Sequence, residues 1–171
     1  MRRSVRAGKA ASPTDVLIGL ISDTHGQLRP SVFQHFEKVE LILHAGDVGD
    51  PDILTELETI APVHAVIGNT DGSPLAERLP VVQELTLSGH RVVVTHGHLL
   101  GSPTPDLLSA AHPDADIIVY GHTHKPYVGR VNGTLIVNPG AAGPARFRLK
   151  PSIATLEWNR FGEEIVRMID L

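Results

Sequence analysis

The sequence predicts an α/β protein with two stacked β-sheets and covering helices. In the first half of the chain, short apolar segments alternate with helical ones, which is typical of a mostly parallel sheet. In the second half, short β-branched segments are separated by brief turns, which favours antiparallel pairing. With 171 residues, 42% of them hydrophobic and 20% charged, the chain has the length and composition of one soluble globular domain.

The strands expected in the parallel sheet are continuous apolar runs that end in Gly, Asp, Asn or His, the pattern of strands buried on both faces. They are Val16–Ile21, Leu41–Leu43, Val63–Ile67, Val92–Val94 and Ile117–Tyr120. Helices are expected over about Pro30–Lys38, Pro51–Ile60 and Thr104–His112. The second of these helices has proline at its start and an apolar stripe of 3.6-residue period, so it should cover one face of the sheet.

The second sheet is predicted from five further segments. They are Val81–Leu87, Tyr127–Val131, Thr134–Val137, Ile153–Trp158 and Ile165–Ile169. Asn132 and Gly133 separate two of these runs and form the strongest short-range hairpin signal that a sequence can carry. We therefore expect a sheet rich in antiparallel pairs, stacked on the first.

Two absences narrow the class of protein. No apolar run approaches the roughly 18 residues that cross a bilayer, so we expect no membrane span and predict a cytoplasmic protein. The chain has no cysteine, which excludes disulfides, thiolate zinc sites, iron–sulfur clusters and a cysteine nucleophile. Any metal must bind through His, Asp, Glu, Asn or backbone oxygen.

Charge is unevenly distributed along the chain. Residues 1–14 contain basic but no acidic side chains and lack the apolar centre of a secretory signal. We expect a disordered leader there, with an organellar transit peptide as the alternative, and a single domain over residues 15–171. Basic residues number 15 and acidic ones 19 over the whole chain, and the excess of acid is larger without the leader, so general DNA binding is not expected.

Polar residues follow five of the predicted strands. They are Asp23 and His25, then Asp47, then Asn69, then His96 and His98, and finally His122 and His124. Because ligands of open α/β sheets bind outside the carboxyl ends of the strands, these clusters should converge in one crevice. The other histidines, His35, His44, His64, His90 and His112, are expected to be ordinary core or surface residues.

A convergent set of carboxylates, imidazoles and an amide is typical of a site for divalent Mn, Fe, Zn or Ni. Taken singly, Asp-x-His and Gly-Asn-x-Asp are better explained as a turn or a helix cap, and a lone His-x-His is as often a satisfied or exposed pair. Taken together they supply seven candidate ligands: Asp23, His25, Asp47, Asn69, His96, His122 and His124. Seven ligands exceed what one ion needs, so two metals about 3.5–4 Å apart fit better, with a mononuclear hydrolase as the alternative.

The ordered set Asp-x-His, Gly-Asp, Gly-Asn, His and Gly-His-x-His resembles the calcineurin-like metallophosphoesterase superfamily, over roughly Val16–Trp158. The segment Asp23–Gly26 and the small size of the chain are most similar to the prokaryotic YfcE-type phosphodiesterases. The resemblance implies a four-layer α/β/β/α sandwich of two stacked mixed sheets. It also implies two divalent metal ions, with Mn²⁺ expected first and Fe, Zn or Ni as alternatives.

The resemblance also implies roles for single residues. Asp23, His25 and His124 would hold one metal, Asn69, His96 and His122 the other, and Asp47 would bridge the two. Asn69 and His98 are the candidate catalytic residues: Asn69 would orient the phosphate, and His98 would orient a ligand. Asp50 is either a family acid or a helix cap, and Asn138–Ala141 resembles a loop near the family's site, with Ala141 where a serine is usual.

One position departs from the family pattern. Many members carry histidine directly after the asparagine of the third motif, where it supports the leaving group, and this chain has Thr70 there. A threonine hydroxyl cannot act as a general acid near neutral pH. The leaving group must then take its proton from water or from another residue, or depart unprotonated.

The activity implied is hydrolysis of phosphoesters by a metal-bridging hydroxide, with a small-molecule substrate. A diester is favoured over a monoester, because no Arg or Lys lies within the motifs to balance a second negative charge; Lys125 is the nearest exception. The alternative from another class is a scaffold that binds protein partners, as a retromer subunit of the same fold does. Asp47 favours the enzyme, because that subunit has lost metal-binding acids. The sequence is compatible with a homo-oligomer as well as with a monomer.

Overall fold

Apolar runs and turn residues determine where the strands begin and end in the computed structural model, which describes residues 16–145 and 148–171. Within these residues the strands are β1 (Ile18–Ile21), β2 (Leu41–His44), β3 (Val63–Ala65), β4 (Val82–Leu87), β5 (His90–Thr95), β6 (Ile117–Tyr120), β7 (Tyr127–Val131), β8 (Thr134–Asn138), β9 (Ser152–Trp158) and β10 (Glu164–Asp170). The helices are α1 (Pro30–His35), α2 (Pro51–Glu58), α3 (Leu75–Arg78) and α4 (Pro105–Ala111). The predicted leader, residues 1–14, lies outside the described residues.

Local chemistry explains the helix starts. Helices α1, α2 and α4 begin with proline, whose fixed φ suits the first helical position and whose missing N–H is not needed there. Asp50 accepts a hydrogen bond from the Asp52 N–H at 2.9 Å, and Thr104 accepts one from the Leu107 N–H at 3.3 Å. Asp50 is therefore the cap of α2.

The strands form two five-stranded sheets. The first has the order β10-β9-β1-β2-β3, with β1, β2 and β3 parallel and the β9–β10 hairpin added antiparallel to β1. The second has the order β4-β5-β6-β8-β7, with β5, β6 and β8 parallel and an antiparallel strand at each edge. Asn132 and Gly133 both have positive φ, as a tight two-residue turn between β7 and β8 requires.

Alternating side chains of each sheet fill three hydrophobic layers. Ile18 and Leu20 of β1 pack between the sheets, against residues such as Ile117 and Val119 of β6. The opposite face of the first sheet is covered by α1 and α2. The opposite face of the second sheet packs on Leu108 of α4. The result is the four-layer α/β/β/α sandwich that the family resemblance implies.

The division of the chain into a parallel first sheet and an antiparallel second sheet is wrong. Strands β5 and β6, predicted for the first sheet, belong to the second, while the β9–β10 hairpin joins the first. The apolar pattern of a strand shows that both its faces are buried, but it does not show which neighbour the strand pairs with. Both sheets are consequently mixed.

Among the described residues, no helix is both long enough and apolar enough to span a bilayer.

Phe36 is the largest fully buried side chain of the described residues, and it packs where β1 has no side chain. A Cβ on Gly19 would lie 2.9 Å from the Phe36 ring, so the ring fits here only because Gly19 has no side chain.

Replacement Phe36→Ala should lower the free energy of unfolding by about 3–5 kcal/mol, because a cavity is left under β1. Urea unfolding measures this, with Phe161→Ala as control, since Phe161 is 73% exposed. Equal losses in the two variants would contradict the packing described.

Candidate metal centre

The polar residues that follow β1, β2, β3, β5 and β6 meet at one end of the two sheets. Backbone hydrogen bonds join the first two of these loops: the Asp23 N–H donates to Gly46 O at 3.0 Å, and the His25 N–H donates to Asp47 O at 2.9 Å. The same edge of both sheets therefore carries all eight residues predicted for the site, which are Asp23, His25, Asp47, Asn69, His96, His98, His122 and His124.

Four of these residues form a tight group. Ligand atoms of Asp23, His25, Asp47 and His124 all lie within 4.8 Å of one another. The Nε2 atoms of His25 and His124 are 3.3 Å apart, and His124 Nε2 is 3.1 Å from Asp23 Oδ1. The two imidazoles thus direct ring nitrogens at the point that the buried carboxylate also faces.

A second group lies beside the first and shares Asp47 with it. Asn69 Oδ1 is 3.1 Å from His96 Nε2 and 3.0 Å from His122 Nδ1. Asp47 Oδ2 lies 3.8 Å from His25 Nε2 in the first group and 3.4 Å from His96 Nε2 in the second. Asp47 is therefore the residue whose carboxylate faces both groups.

Five of the candidate ligands have left-handed backbone conformations. Their φ angles are 54° at Asp23, 47° at His25, 53° at Asp47, 67° at His122 and 58° at His124. Residues other than glycine adopt positive φ uncommonly, although Asp and His do so more often than most. Such conformations cluster at functional sites, where surrounding structure holds them in place.

Two glycines let the loops approach closely enough to form the site. A Cβ on Gly68 would lie 2.1 Å from Asp47 Oδ1, and a Cβ on Gly121 would lie 2.1 Å from Ser22 Oγ and 2.9 Å from Asp23 Oδ2. Any other residue at these positions would push the carboxylates away.

The electrostatics of the site favour an ionised Asp47. Burial by itself raises the pKa of this carboxyl, but a hydrogen bond and charge from His96, together with the Thr70 N–H, outweigh it and hold the pKa well below its usual range. His96 responds in the opposite sense: burial lowers its pKa, whereas Asp47 and Asp23 raise it, and the raised value prevails. The His96 Nδ1–H donates to Ala45 O at 2.7 Å, so Nε2 is the nitrogen that faces the centre.

Thr70 has two contacts that the sequence did not indicate. Its backbone N–H donates to Asp47 Oδ1 at 2.9 Å, and its hydroxyl lies 3.5 Å from His25 Nδ1. Thr70 therefore orients a carboxylate and an imidazole of the first group. In the sequence, only the position of Thr70 directly after Asn69 indicates this role. Every residue except proline has a backbone N–H, so the amino-acid type does not show which N–H will bind a carboxylate.

His44 also supports the site, although the sequence predicts only an ordinary core or surface histidine there. The Thr24 hydroxyl donates to Val48 O at 2.9 Å, so the proton shared with His44 Nε2, 3.0 Å away, must come from the histidine. Its Nδ1 then accepts from the Gly46 N–H at 3.3 Å. This buried, neutral ring thereby ties the loop that carries Asp23 to the loop that carries Asp47.

The side chains of Asp71 and Asn138 hold the loops of the site in place by hydrogen bonds. Asp71 accepts hydrogen bonds from the N–H groups of Gly49 and Gly68, both at 2.8 Å. Asn138 donates to Gly121 O at 3.0 Å and to Thr123 Oγ1 at 3.1 Å, and so fixes the loop that carries His122 and His124. The Asn138–Ala141 segment therefore contacts the site through Asn138, while Ala141 is buried.

His98 lies at the margin of the second group. Its ring centroid is 5.4 Å from that of His96 and 6.4 Å from that of His122. Burial, followed by the nearby charges of His96 and His122, lowers the pKa of His98, so the neutral ring is favoured. Its Nδ1 is buried and makes no hydrogen bond to any residue that the structure describes.

The residues present fit a metal centre. Asp23 Oδ1 is buried, lies 3.1 Å from His124 Nε2 and makes no hydrogen bond of good geometry within the described part of the chain, so a cation would offset the cost of its burial. The donors are imidazole nitrogen and carboxylate or amide oxygen, a set suited to divalent Mn, Fe, Zn and Ni. The first group therefore has the donors to hold a divalent metal ion.

Comparison with known proteins identifies the family. Residues 16–160 match the calcineurin-like phosphoesterase superfamily domain. The chain belongs to this superfamily. Members of this superfamily bind divalent metals.

Three relatives illustrate the likeness. A probable metallophosphoesterase of Methanothermobacter thermautotrophicus is 37% identical over 161 residues, covering 89% of this chain and 92% of that protein. The phosphodiesterase YfcE of Escherichia coli is 35% identical over 89 residues, which are 49% of this chain and 46% of that one. Vacuolar protein sorting 29 of Cryptosporidium parvum superposes with a TM-score of 0.75 at 26% identity, covering 92% of this chain and 98% of its own. The resemblance that the strand-end motifs indicated is confirmed.

The buried ring of His44 makes stability depend on pH. Burial lowers its pKa from 6.5 to about 4. Between these values the unfolded chain binds a proton at His44 that the folded chain does not, so the free energy of unfolding falls as pH falls through this window, by roughly 3 kcal/mol in total.

Urea unfolding from pH 7 to pH 4.5 with a chelator present measures this dependence. His44→Gln should flatten it, because glutamine cannot take up the proton, whereas His35→Gln at an exposed position should retain it. An unchanged slope in His44→Gln would mean that other groups cause the acid sensitivity.

Proposed function

We propose that the protein is a phosphodiesterase that uses two divalent metal ions to hydrolyse small phosphodiesters in the cytoplasm. The observation that carries the proposal is the position of Asp47, whose Oδ2 lies within 3.8 Å of His25 Nε2 and 3.4 Å of His96 Nε2. A carboxylate between two groups of donors is the arrangement that a bridged pair of cations requires.

The proposed ligands divide as the donors do. Asp23, His25 and His124 hold one cation, Asn69, His96 and His122 hold the other, and Asp47 contacts both. Mn²⁺ is the expected metal, and Fe, Zn or Ni suit the same donors. When bound, the two cations supply Lewis-acid activation of a water molecule and neutralise charge on the phosphate oxygens.

Residues of the chain orient the metal ligands and the phosphate. The Thr70 N–H and His96 hold the Asp47 carboxylate ionised and in place. The exposed amide of Asn69 orients the phosphate, and His98 keeps His96 and His122 in position. A water oxygen attacks phosphorus, the bond to the leaving oxygen breaks, and the departing alcoholate takes its proton from solvent.

Charge favours a diester over a monoester. Among residues 16–145 and 148–171, the two ligand groups include no Arg or Lys that would balance the second negative charge of a monoester. Lys125 follows His124 but is exposed at the rim. A monoanionic diester is therefore the better substrate electrostatically.

A protein-binding scaffold is the second candidate, because the fold is also that of vacuolar protein sorting 29. The two functions differ in what they require of the site. Hydrolysis needs two metals and an intact Asp47, whereas a scaffold needs neither. Turnover of bis(4-nitrophenyl) phosphate with added Mn²⁺, together with the metal content per chain, separates them; a fully metal-loaded protein without turnover would favour the scaffold.

Asp47→Asn should abolish this turnover and lower metal occupancy at both positions, because a single carboxylate offsets the repulsion of two cations. The matched control is Asp50→Asn, which changes a nearby exposed acid that caps α2. Metal analysis after gel filtration, alongside the diester assay, gives both readouts. Two metals per chain in Asp47→Asn would show that Asp47 does not bridge.

His96 and His98 should differ in what their loss removes. His96→Ala should empty one metal position, since its Nε2 faces Asp47 and Asn69. His98→Ala should weaken metal affinity or activity on the order of 10–100-fold and leave both positions able to fill, as changes behind a ligand typically do. Titration with Mn²⁺ distinguishes the two, and the reverse pattern would exchange their assigned roles.

Thr70 should make the rate depend steeply on the leaving group. General acid help is typically worth about 10²–10⁴-fold and matters most for poor leaving groups, and a threonine cannot supply it. Diesters that expel a stabilised phenolate should therefore be cleaved much faster than those that expel an alkoxide.

Thr70→His should narrow that gap, and Thr70→Ser is the control, because it keeps the hydroxyl and the backbone N–H that contact His25 and Asp47. The measurement is rate against leaving-group pKa with saturating Mn²⁺. A shallow dependence in the unmodified protein would mean that another residue, such as His98, already delivers the proton.

A further inference from the structure

A cavity of about 590 Å³ opens beside the second ligand group, between the loop that precedes α4 and the connection from β6 to β7. His122 lines the cavity and also contacts Asn69 in the metal centre. The cavity and the proposed phosphate position therefore share a wall. Its volume lies within the range of about 300–1,000 Å³ that is typical of small-molecule sites.

The lining of this cavity is mainly apolar and cyclic. Pro103 and Pro105 line it from the side of α4, and Tyr120, Pro126 and Tyr127 line it from the side of the sheet. Tyrosine rings stack on a planar ring with a contribution beyond the buried area, and proline rings add apolar surface that such a ring can cover. The lining therefore suits an aromatic group better than a flexible or charged one.

The Tyr127 side chain lies along its own strand because Gly129, two residues further on, has no side chain in its way. A Cβ on Gly129 would lie 2.3 Å from the Tyr127 hydroxyl, so the ring extends over Gly129 on the face that α4 covers. The ring is thus a side wall of the cavity and does not fill it.

Charge at the cavity points to a small substituent. Among the described residues that line the cavity, the cation is Lys125, and its side chain is exposed. The whole chain carries a net charge of −4. One ammonium group can contact the face of an aromatic ring, but it does not match the repeated charges of a polymer. The occupant that fits is one organic group attached to the phosphorus that the metal centre holds.

We propose that this cavity is a subsite for the aromatic substituent of the phosphodiester substrate, with Tyr127 as a residue that determines specificity. This inference rests on the proposed function, because it assigns the phosphate to the neighbouring metal centre. The substituent is a planar ring, either an aryl group or a nucleobase. The seven proposed ligands bind metal and phosphate, so the cavity is where discrimination among diesters arises.

Binding of monoanionic phosphonate esters to the Mn²⁺-loaded protein, measured by calorimetry, tests the inference without turnover. The probes are the methyl esters of methylphosphonic acid, of phenylphosphonic acid and of 2-(thymin-1-yl)ethylphosphonic acid. The phenyl probe, the thymine probe or both should bind roughly 10- to 100-fold more tightly than the methyl probe, as burial of an apolar ring predicts. The tighter of the two identifies aryl or nucleobase as the source of the ring.

Two variants act on the cavity from different sides. Tyr127→Ala removes a wall, and Ser102→Phe fills the cavity from an exposed loop position, so it disturbs no core packing. Each should reduce the preference for the ring to less than about threefold while changing the affinity of the methyl probe less than about twofold. Val128→Ala, at the exposed next position of β7, should keep the preference.

The inference is overturned if all probes bind equally, if none binds, or if the preference survives in both cavity variants. Its failure differs from failure of the proposed function. Hydrolysis of bis(4-nitrophenyl) phosphate without any preference for a ring would remove the subsite and leave the phosphodiesterase. A preference that depends on Tyr127 in a protein without turnover would keep the subsite and remove the hydrolysis.

Discussion

The buried carboxylate of Asp47 is the group on which the arrangement of the loops depends. An ionised carboxylate in a protein interior is costly unless donors or cations surround it. Here the Thr70 N–H contacts one oxygen, and His25 and His96 face the other. Residues from the loops after β1, β3 and β5 are thereby brought to a side chain of the loop after β2. The cost of burial is offset only when all of these loops are in place.

The sandwich is what makes such an arrangement sustainable. Five candidate ligands hold positive φ, a conformation that costs of order 1–3 kcal/mol each and persists only where the surroundings determine it. The loops that bear them are short extensions of strands whose both faces are buried, so they cannot relax without disturbing a core. His44 and Asn138 add buried hydrogen bonds beneath two of the loops. The fold therefore holds the candidate ligands in place through the cores beneath the loops as well as through their own contacts.

The convergence of the polar strand ends could be predicted from the sequence, whereas the membership of the sheets could not. Asp23, Asp47 and His122 could be placed together because each follows an apolar strand, and such strand ends meet at one edge of a sheet. The membership of β5 and β9 in their sheets could not, since strand pairing depends on contacts distant in the chain. The roles of Thr70 and His44 were hidden for a related reason. Thr70 acts largely through its backbone N–H, and His44 acts through the tautomer of its ring. The amino-acid type alone predicts neither contact.

Two kinds of selectivity follow from the way the residues are distributed. In the proposed phosphodiesterase, the candidate ligands face one another and leave few polar groups to contact the rest of an ester, so they would recognise the phosphate and not its substituents. Contacts with a substituent must come from the surfaces that flank the centre, and the cavity beside His122 is such a surface. Its walls come from the loop before α4 and from the start of β7, which hold none of the ligands. Changes there can alter which ester is bound while the metal centre stays the same, so chemistry and specificity are separable in this fold.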